Sequence, residues 1–301
     1  MPHAVHRDQK HAAGRTSRLH RGTLGRNQNQ RDKHQRTGSC YGNSGMTRST
    51  QPVALSIAGS DPTGGAGLQL DLRVFTRFDV HGMAIPTALV AQSTQKVHRV
   101  LPAFPHVVSE QLAVLLADIV PDAIKIGMLA TDDILLAVAN VLDRYEIPRV
   151  LDPVLSASDG TTLLERRAYG NLMNRFVNGA ALVTPNLPEA EALTGYSDPE
   201  SAGAVFLDAG AEAVLIKGGH AAGAPDDLLV TPAGSRWLRG ERIEGVRAHG
   251  TGCALSSAIT CGLARGNQLQ ESVEGAKRFV HGAIAGASRP GPGEGQSLLK
   301  I

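Results

Sequence analysis

The chain has 301 residues, 42% hydrophobic and 19% charged, a length that suits one large α/β domain or two small ones. No charge-free apolar run reaches about 18 residues, the three Cys contain no CxxC pair, and aromatics at 4% are thin for base stacking. A membrane-spanning helix, a disulfide or zinc framework and a nucleic-acid partner are therefore disfavoured, leaving a reduced, cytoplasmic, globular protein. Charge is uneven: residues 1–50 carry 10 Lys/Arg against 2 Asp/Glu, which leaves 20 against 26, a net of −6, for residues 51–301.

Residues 1–50 show neither helical nor strand period and too few apolar side chains for a core. They read as a disordered extension or as sequence outside the working protein, with Met46 placed to start it. From Pro52 the pattern changes. VALSIAG (53–59), AIPTALVAQ (84–92), AIKIG (123–127), RVLDPVL (149–155), AALVTPN (180–186) and AVLIKGG (213–219) are short apolar runs, most of them bounded by Gly, Pro, Ser or Asn, and predict buried strands. Amphipathic segments lie between them. Over 131–145 a stripe of Ile134, Leu135, Val138, Val141, Leu142 and Tyr145 predicts a helix, with Thr131 as cap and Asp132 and Asp133 in the first turn. Ser109 is placed to cap a helix over 110–119 in the same way. Residues 227–243 predict a hairpin turning at Pro232-Ala233-Gly234, and two helices, about 252–265 and 269–286, close the chain. Alternating strands and helices without an interior linker predict one domain over 51–301, a mostly parallel central sheet with helices on both faces.

Ligands of such sheets bind outside the carboxyl ends of the strands. After the first strand, Gly59-Ser60-Asp61-Pro62-Thr63-Gly64-Gly65-Ala66-Gly67 is either a steric strand-to-helix turn or a loop that lets backbone approach a ligand. It matches neither GxGxxG nor GxxxxGK[ST]. Gln92 ends the second strand with a carboxamide suited to the edge of a heteroaromatic ring, or simply to water. Asp152, Asn186 and Glu189 are hard oxygen ligands near strand ends, a magnesium and phosphate neighbourhood; equally, Asn186 and Glu189 can be the start of a helix. Lys217-Gly218-Gly219-His220 offers a phosphate-binding Lys. In His249-Gly250-Thr251-Gly252-Cys253, two glycines flank a threonine at a helix mouth, a nest for an anion. Cys253 on that first turn is expected to have its thiolate stabilised.

Taken together, AGSDPTGGAG-LQLDL, TALVAQST, KIGML, LDPV, TPNLPEAEALTG, IKGGH and HGTGC, in this order over about 53–286, resemble the hydroxymethylpyrimidine/phosphomethylpyrimidine kinases of the ribokinase-like superfamily. The resemblance implies a three-layer ribokinase-like α/β fold. It further implies ATP-dependent phosphorylation of the pyrimidine precursor of thiamine diphosphate, first to the monophosphate and then to the diphosphate, with Mg²⁺. It places Gln92, Gly59, Met128 and Val154 at the pyrimidine, and Asp71 at the hydroxymethyl group. Cys253 is implied as the base; Lys217, Gly250, Thr251 and Gly252 at the nucleotide phosphates; and Asn186 and Glu189 at Mg-ATP. A homodimer is implied as well. Two stretches depart from the family pattern: Arg289-Pro290-Gly291-Pro292-Gly293-Glu294-Gly295 near the C-terminus and Arg247-Ala248 before the nest. Pyridoxal or pyridoxine kinase and a catalytically silent pyrimidine-binding module are the alternatives.

Overall fold

The computed structural model describes residues 51–219, 224–291 and 294–301. The readings of residues 1–50, His220, Pro292 and Gly293 lie outside them. Strand β1 (Val53–Ser60) leads through helix α1 (Gly67–Arg77) to β2 (His81–Gln92) and β3 (Val97–Pro102). Helix α2 (Pro105–Asp118), strand β4 (Ala123–Ile126), helix α3 (Asp132–Leu142) and strand β5 (Arg149–Leu151) follow. Next come α4 (Tyr169–Leu172), between a 3₁₀ turn and a π turn, then β6 (Leu182–Val183), α5 (Leu187–Thr194), α6 (Pro199–Asp208) and β7 (Val214–Ile216). The hairpin β8 (Asp227–Thr231) and β9 (Gly234–Leu238) precedes β10 (Ala248–His249), α7 (Thr251–Ala264), α8 (Leu269–Ala285) and β11 (Ser297–Leu298). Among the described residues no helix is long and apolar enough to cross a membrane.

Nine strands form one sheet in the order β3-β2-β1-β4-β5-β6-β7-β8-β9. Pairing is parallel from β2 through β7 and antiparallel at both edges. Because strand side chains alternate between faces, each strand feeds two cores. Leu55 and Ile57 of β1 join Ile124 and Ile126 of β4 beneath α2, α3 and α6. Ala54 and Ala123 face the other way, toward Leu70 and Val74 of α1 and Ala258 and Ile259 of α7. The expected layering, with helices on both faces, is what the two cores describe.

Local signals act where they were read. The Thr131 hydroxyl accepts from Ile134 N at 3.3 Å, a cap of about 1 kcal/mol, and the hairpin turns between Thr231 and Gly234, which pair. Ser109 does not cap. Helix α2 begins five residues earlier, at Pro105 after Phe104, and the Ser109 hydroxyl donates back to His106 O. Proline fits the first turn because its missing N–H is unpaired there anyway. Strand β3 and helix α6 were not anticipated. β3 lies at the sheet edge with mostly exposed residues, so no buried apolar run marks it.

The strands end at a common edge, and the order reverses at β1, with β2 on one side and β4 on the other. This is the switch point at which open α/β sheets form their ligand crevice.

Candidate active site

A cleft of about 1500 Å³ opens at that edge, larger than the 300–1,000 Å³ or so usual for one drug-sized ligand. Gly59, Gln92, Met128 and Val154 line it near the ends of β1, β2, β4 and β5. Asn186, Glu189, Lys217 and Gly250 through Cys253 line it toward β6, β7 and α7. Residues 59 to 253 supply all the candidate positions, and the fold brings every one but Asp71 into this single cleft.

The nest at the start of α7 is built by backbone constraint. Gly250 sits in the left-handed region at φ 80°, where only glycine is comfortable. A side chain there would also strike Gly65 O of the first glycine loop. Gly252 is open for another reason: a Cβ on it would stand 3.1 Å from Lys217 Nζ. Thr251, Gly252 and Cys253 thus present the unpaired N–H groups of a helix N-terminus beside a lysine ammonium, an anion site with a cation against it.

Lys217 Nζ donates to Asp152 Oδ1 at 2.8 Å and lies 3.9 Å from Glu189 Oε2. Asp152 also accepts from Ser256 Oγ at 3.2 Å and Thr184 Oγ1 at 3.3 Å. Burial works against the charge on Asp152, but Lys217 and Lys125 outweigh it and hold its carboxyl below the usual range. Glu189 is the reverse case. Burial, with Asp152 adding repulsion, pushes its carboxyl up to about 7 despite Lys217. Two buried carboxylates share Lys217, with Lys125 acting on Asp152 as well, and both residues line the cleft where a further cation would be held.

Asn186 and Glu189 are also a capping box. Asn186 Oδ1 accepts from Glu189 N at 2.9 Å, and Glu189 Oε2 accepts from Asn186 N at 2.8 Å. One lone pair of the Asn186 amide oxygen therefore serves the helix start, so its expected place at Mg-ATP has to share the atom with a cap. Asp152 is the carboxylate that stands with Glu189.

Two further corrections concern the reacting centre. Asp71 does not line the cleft. Its carboxylate is fully buried behind the wall and accepts from Ser56 Oγ at 2.6 Å, Ser257 Oγ at 2.7 Å and Lys125 Nζ at 2.8 Å. Cys253 faces the cleft, but burial, opposed by Lys125 and reinforced by Asp71 and Asp152, raises its thiol to about 11. Desolvation outweighs the helix N-terminus, so the resting side chain is a neutral thiol rather than a thiolate.

Lys125 was not singled out from the sequence. It lies within the apolar run AIKIG, and it lines the cleft while fully buried. A lysine inside a four-residue strand whose positions are all buried is the signal that could have found it, since such a charge is retained only with a partner. The pairing of His249 Nε2 with Asp61 Oδ2 at 3.0 Å joins the two glycine loops. It spans 188 positions and leaves no mark in local sequence.

The sequence model of the phosphomethylpyrimidine kinase family matches residues 61–297. The chain belongs to that family. A hydroxymethylpyrimidine/phosphomethylpyrimidine kinase of Staphylococcus aureus strain MRSA252 is 41% identical over 252 residues, covering 81% of this chain and 91% of the relative. One from Streptomyces coelicolor is 38% identical over 251 residues, covering 82% and 93%. Among solved structures, phosphomethylpyrimidine kinase of Clostridium difficile 630 superposes with TM-score 0.70 at 36% identity, over 78% of this chain and all of that one. Pyridoxal kinase of S. aureus in complex with ADP gives 0.76 at 32% identity, over 83% and 93%. As a member of the phosphomethylpyrimidine kinase family, the chain spans more than nine-tenths of the length of these two curated relatives.

Proposed function

We propose that the protein transfers the γ-phosphoryl group of ATP to the hydroxymethyl oxygen of 4-amino-5-hydroxymethyl-2-methylpyrimidine, and then a second to the resulting monophosphate, supplying thiamine diphosphate biosynthesis. The observation that carries this reading is the single cleft in which Gln92 and the Gly250–Cys253 nest face the same space. One end suits a polar heteroaromatic ring and the other a chain of phosphates. Lys217 and the nest also weigh against a silent binding module.

The geometry supports the following roles. Gln92 offers donor and acceptor to the ring edge, while Gly59, Met128 and Val154 form its apolar walls. The N–H groups of residues 250–253 and Lys217 take the charge on the transferring group, where preorganised donors contribute most. In the first step an oxygen–phosphorus bond forms to the alcohol, the bond to the β-phosphate oxygen breaks, and ADP leaves. In a loose transition state the alcohol keeps its proton until late, so positioning dominates. Cys253, which lines the cleft, is the base candidate, acting only in the small thiolate fraction that a pKa of about 11 allows. Asp71 acts through Lys125 as a positioning residue.

Magnesium fits the nucleotide end. Among the described residues no group of three or more His, Cys, Asp or Glu could cage a metal, but Mg²⁺ characteristically needs only one or two carboxylates plus phosphates and water. Asp152 and Glu189 would hold it, and it would offset charge on the triphosphate.

The working domain is residues 51–301, cytoplasmic and homodimeric. Leu89 and Leu101, cross-strand partners at the β2–β3 edge, and nearby Phe104 are exposed apolar residues that support self-association. The test of function is incubation with Mg-ATP and either the hydroxymethylpyrimidine or pyridoxal, with products read by mass spectrometry. Pyrimidine mono- and then diphosphate is the expected outcome. Pyridoxal phosphate alone would establish the second reading, which the fold's match to pyridoxal kinase at TM-score 0.76 keeps specific.

A further inference from the structure

The C-terminal segment has no role in the mechanism above, yet it reaches the substrate end of the cleft. β11 pairs with β10 immediately before the nest, Ala248 opposite Ser297 and His249 opposite Leu298. One residue earlier, Gln296 N donates to Thr94 O at 3.0 Å, and Gln296 Nε2 donates to Ser158 Oγ at 3.3 Å. Asp159, next to Ser158, accepts from Val97 N at 2.8 Å. The turn after β2, the loop around Ser158 and the C-terminal strand are thereby joined along one rim, two residues beyond Gln92. Gln92, Ser158 and Gln296 all line the cleft.

Gln296 is half-buried, and its Oε1 accepts no hydrogen bond among the described residues. The proposed substrate carries an exocyclic amine with two N–H donors. A single carboxamide oxygen pairs with one of them, and a donor left unpaired on desolvation costs more than the bond itself contributes. We propose that Gln296 is a specificity-determining residue whose Oε1 accepts from the exocyclic amine, complementing Gln92. This rests on the aminopyrimidine reading of the site.

The experiment compares the hydroxymethylpyrimidine with its analogue lacking the amine, in the wild type, Gln296→Ala and the isosteric Gln296→Glu, which keeps an acceptor. In Gln296→Ala, the preference in kcat/KM for the amine-bearing ring is expected to fall roughly tenfold, with KM for ATP and the thermal midpoint nearly unchanged. Gln296→Glu is expected to retain most of the preference. An active wild type whose preference survives Gln296→Ala, or a variant that loses both rings equally, overturns this inference alone. A wild type that phosphorylates neither pyrimidine but accepts pyridoxal overturns the functional reading with it.

Discussion

Lys125 Nζ lies 2.8 Å from Asp71 Oδ2 with neither side chain exposed, and this pair ties the sheet to helices α1 and α7 on one face. The register of β1 and β4 sets Ser56 beside Lys125. Asp71 comes from α1 and Ser257 from α7, so one carboxylate joins four elements. Helix α7 carries the nest, and its position over the cleft depends on this network.

Removing one member of the pair leaves the other charged and buried. Lys125→Met and Asp71→Asn are each expected to cost about 3–5 kcal/mol. The double variant Lys125→Met with Asp71→Leu should lose clearly less than the sum of the singles. Urea denaturation of all variants measures this, and strict additivity would show that the charges do not interact.

Lys217 is expected to matter for rate as well as for folding, because its loss leaves Asp152 and Glu189 buried without its ammonium. Lys217→Ala removes a preformed donor at the phosphate end, and kcat should fall by a factor of roughly 10²–10³, with a raised KM for ATP and little change for the pyrimidine. Steady-state kinetics with each substrate varied in turn decides. A loss confined to the pyrimidine KM would place Lys217 at the wrong end of the cleft.

The thiol of Cys253 gives a pH signature. With its pKa raised to about 11, the thiolate fraction grows about tenfold per pH unit below that value. Alkylation of Cys253, followed by peptide mapping, should therefore be slow at pH 7 and accelerate up to pH 10. If Cys253 is the base, the first phosphorylation rises with pH in parallel. Cys253→Ala should then slow the first step by roughly 10²–10⁴ and the second, whose nucleophile is already anionic, much less. Equal loss in both steps would assign Cys253 to the anion nest instead.

Asp61 contributes an acid-sensitive part of stability. Burial alone would raise its pKa, but hydrogen bonds from His249, Gln92 and Thr63 bring it from 3.8 to about 2. A carboxyl depressed on folding stabilises above its unfolded pKa and loses that contribution as pH falls through its folded value. About 2 kcal/mol should therefore disappear between pH 4 and 2. Denaturation curves across that range should show a shallower loss for Asp61→Asn than for the wild type; matching slopes would remove Asp61 from the acid response.

The layers and most of the elements can be read from the amino-acid order alone. Alternation of buried runs and amphipathic stretches is a local pattern, and hydrogen bonding along the backbone turns it into strands and helices with little choice. The glycines of residues 250 and 252 and the Thr131 cap were legible for the same reason, as was the hairpin expected over 227–243, whose strands end at Leu238. Gln92, Lys217 and Cys253 were legible because strand and helix ends must meet at one edge of such a sheet.

The surroundings of those side chains come from packing between distant segments. Whether Asp71 faces substrate or Lys125, and whether Cys253 is thiol or thiolate, depends on desolvation and on charges from other strands. Asn186 had two good roles in sequence, and the capping box uses its amide oxygen because Glu189 stood one turn away. Gln296 reaches Thr94 and Ser158 across gaps of more than a hundred residues. Partners that far apart are chosen by register and packing, and local composition carries no record of them.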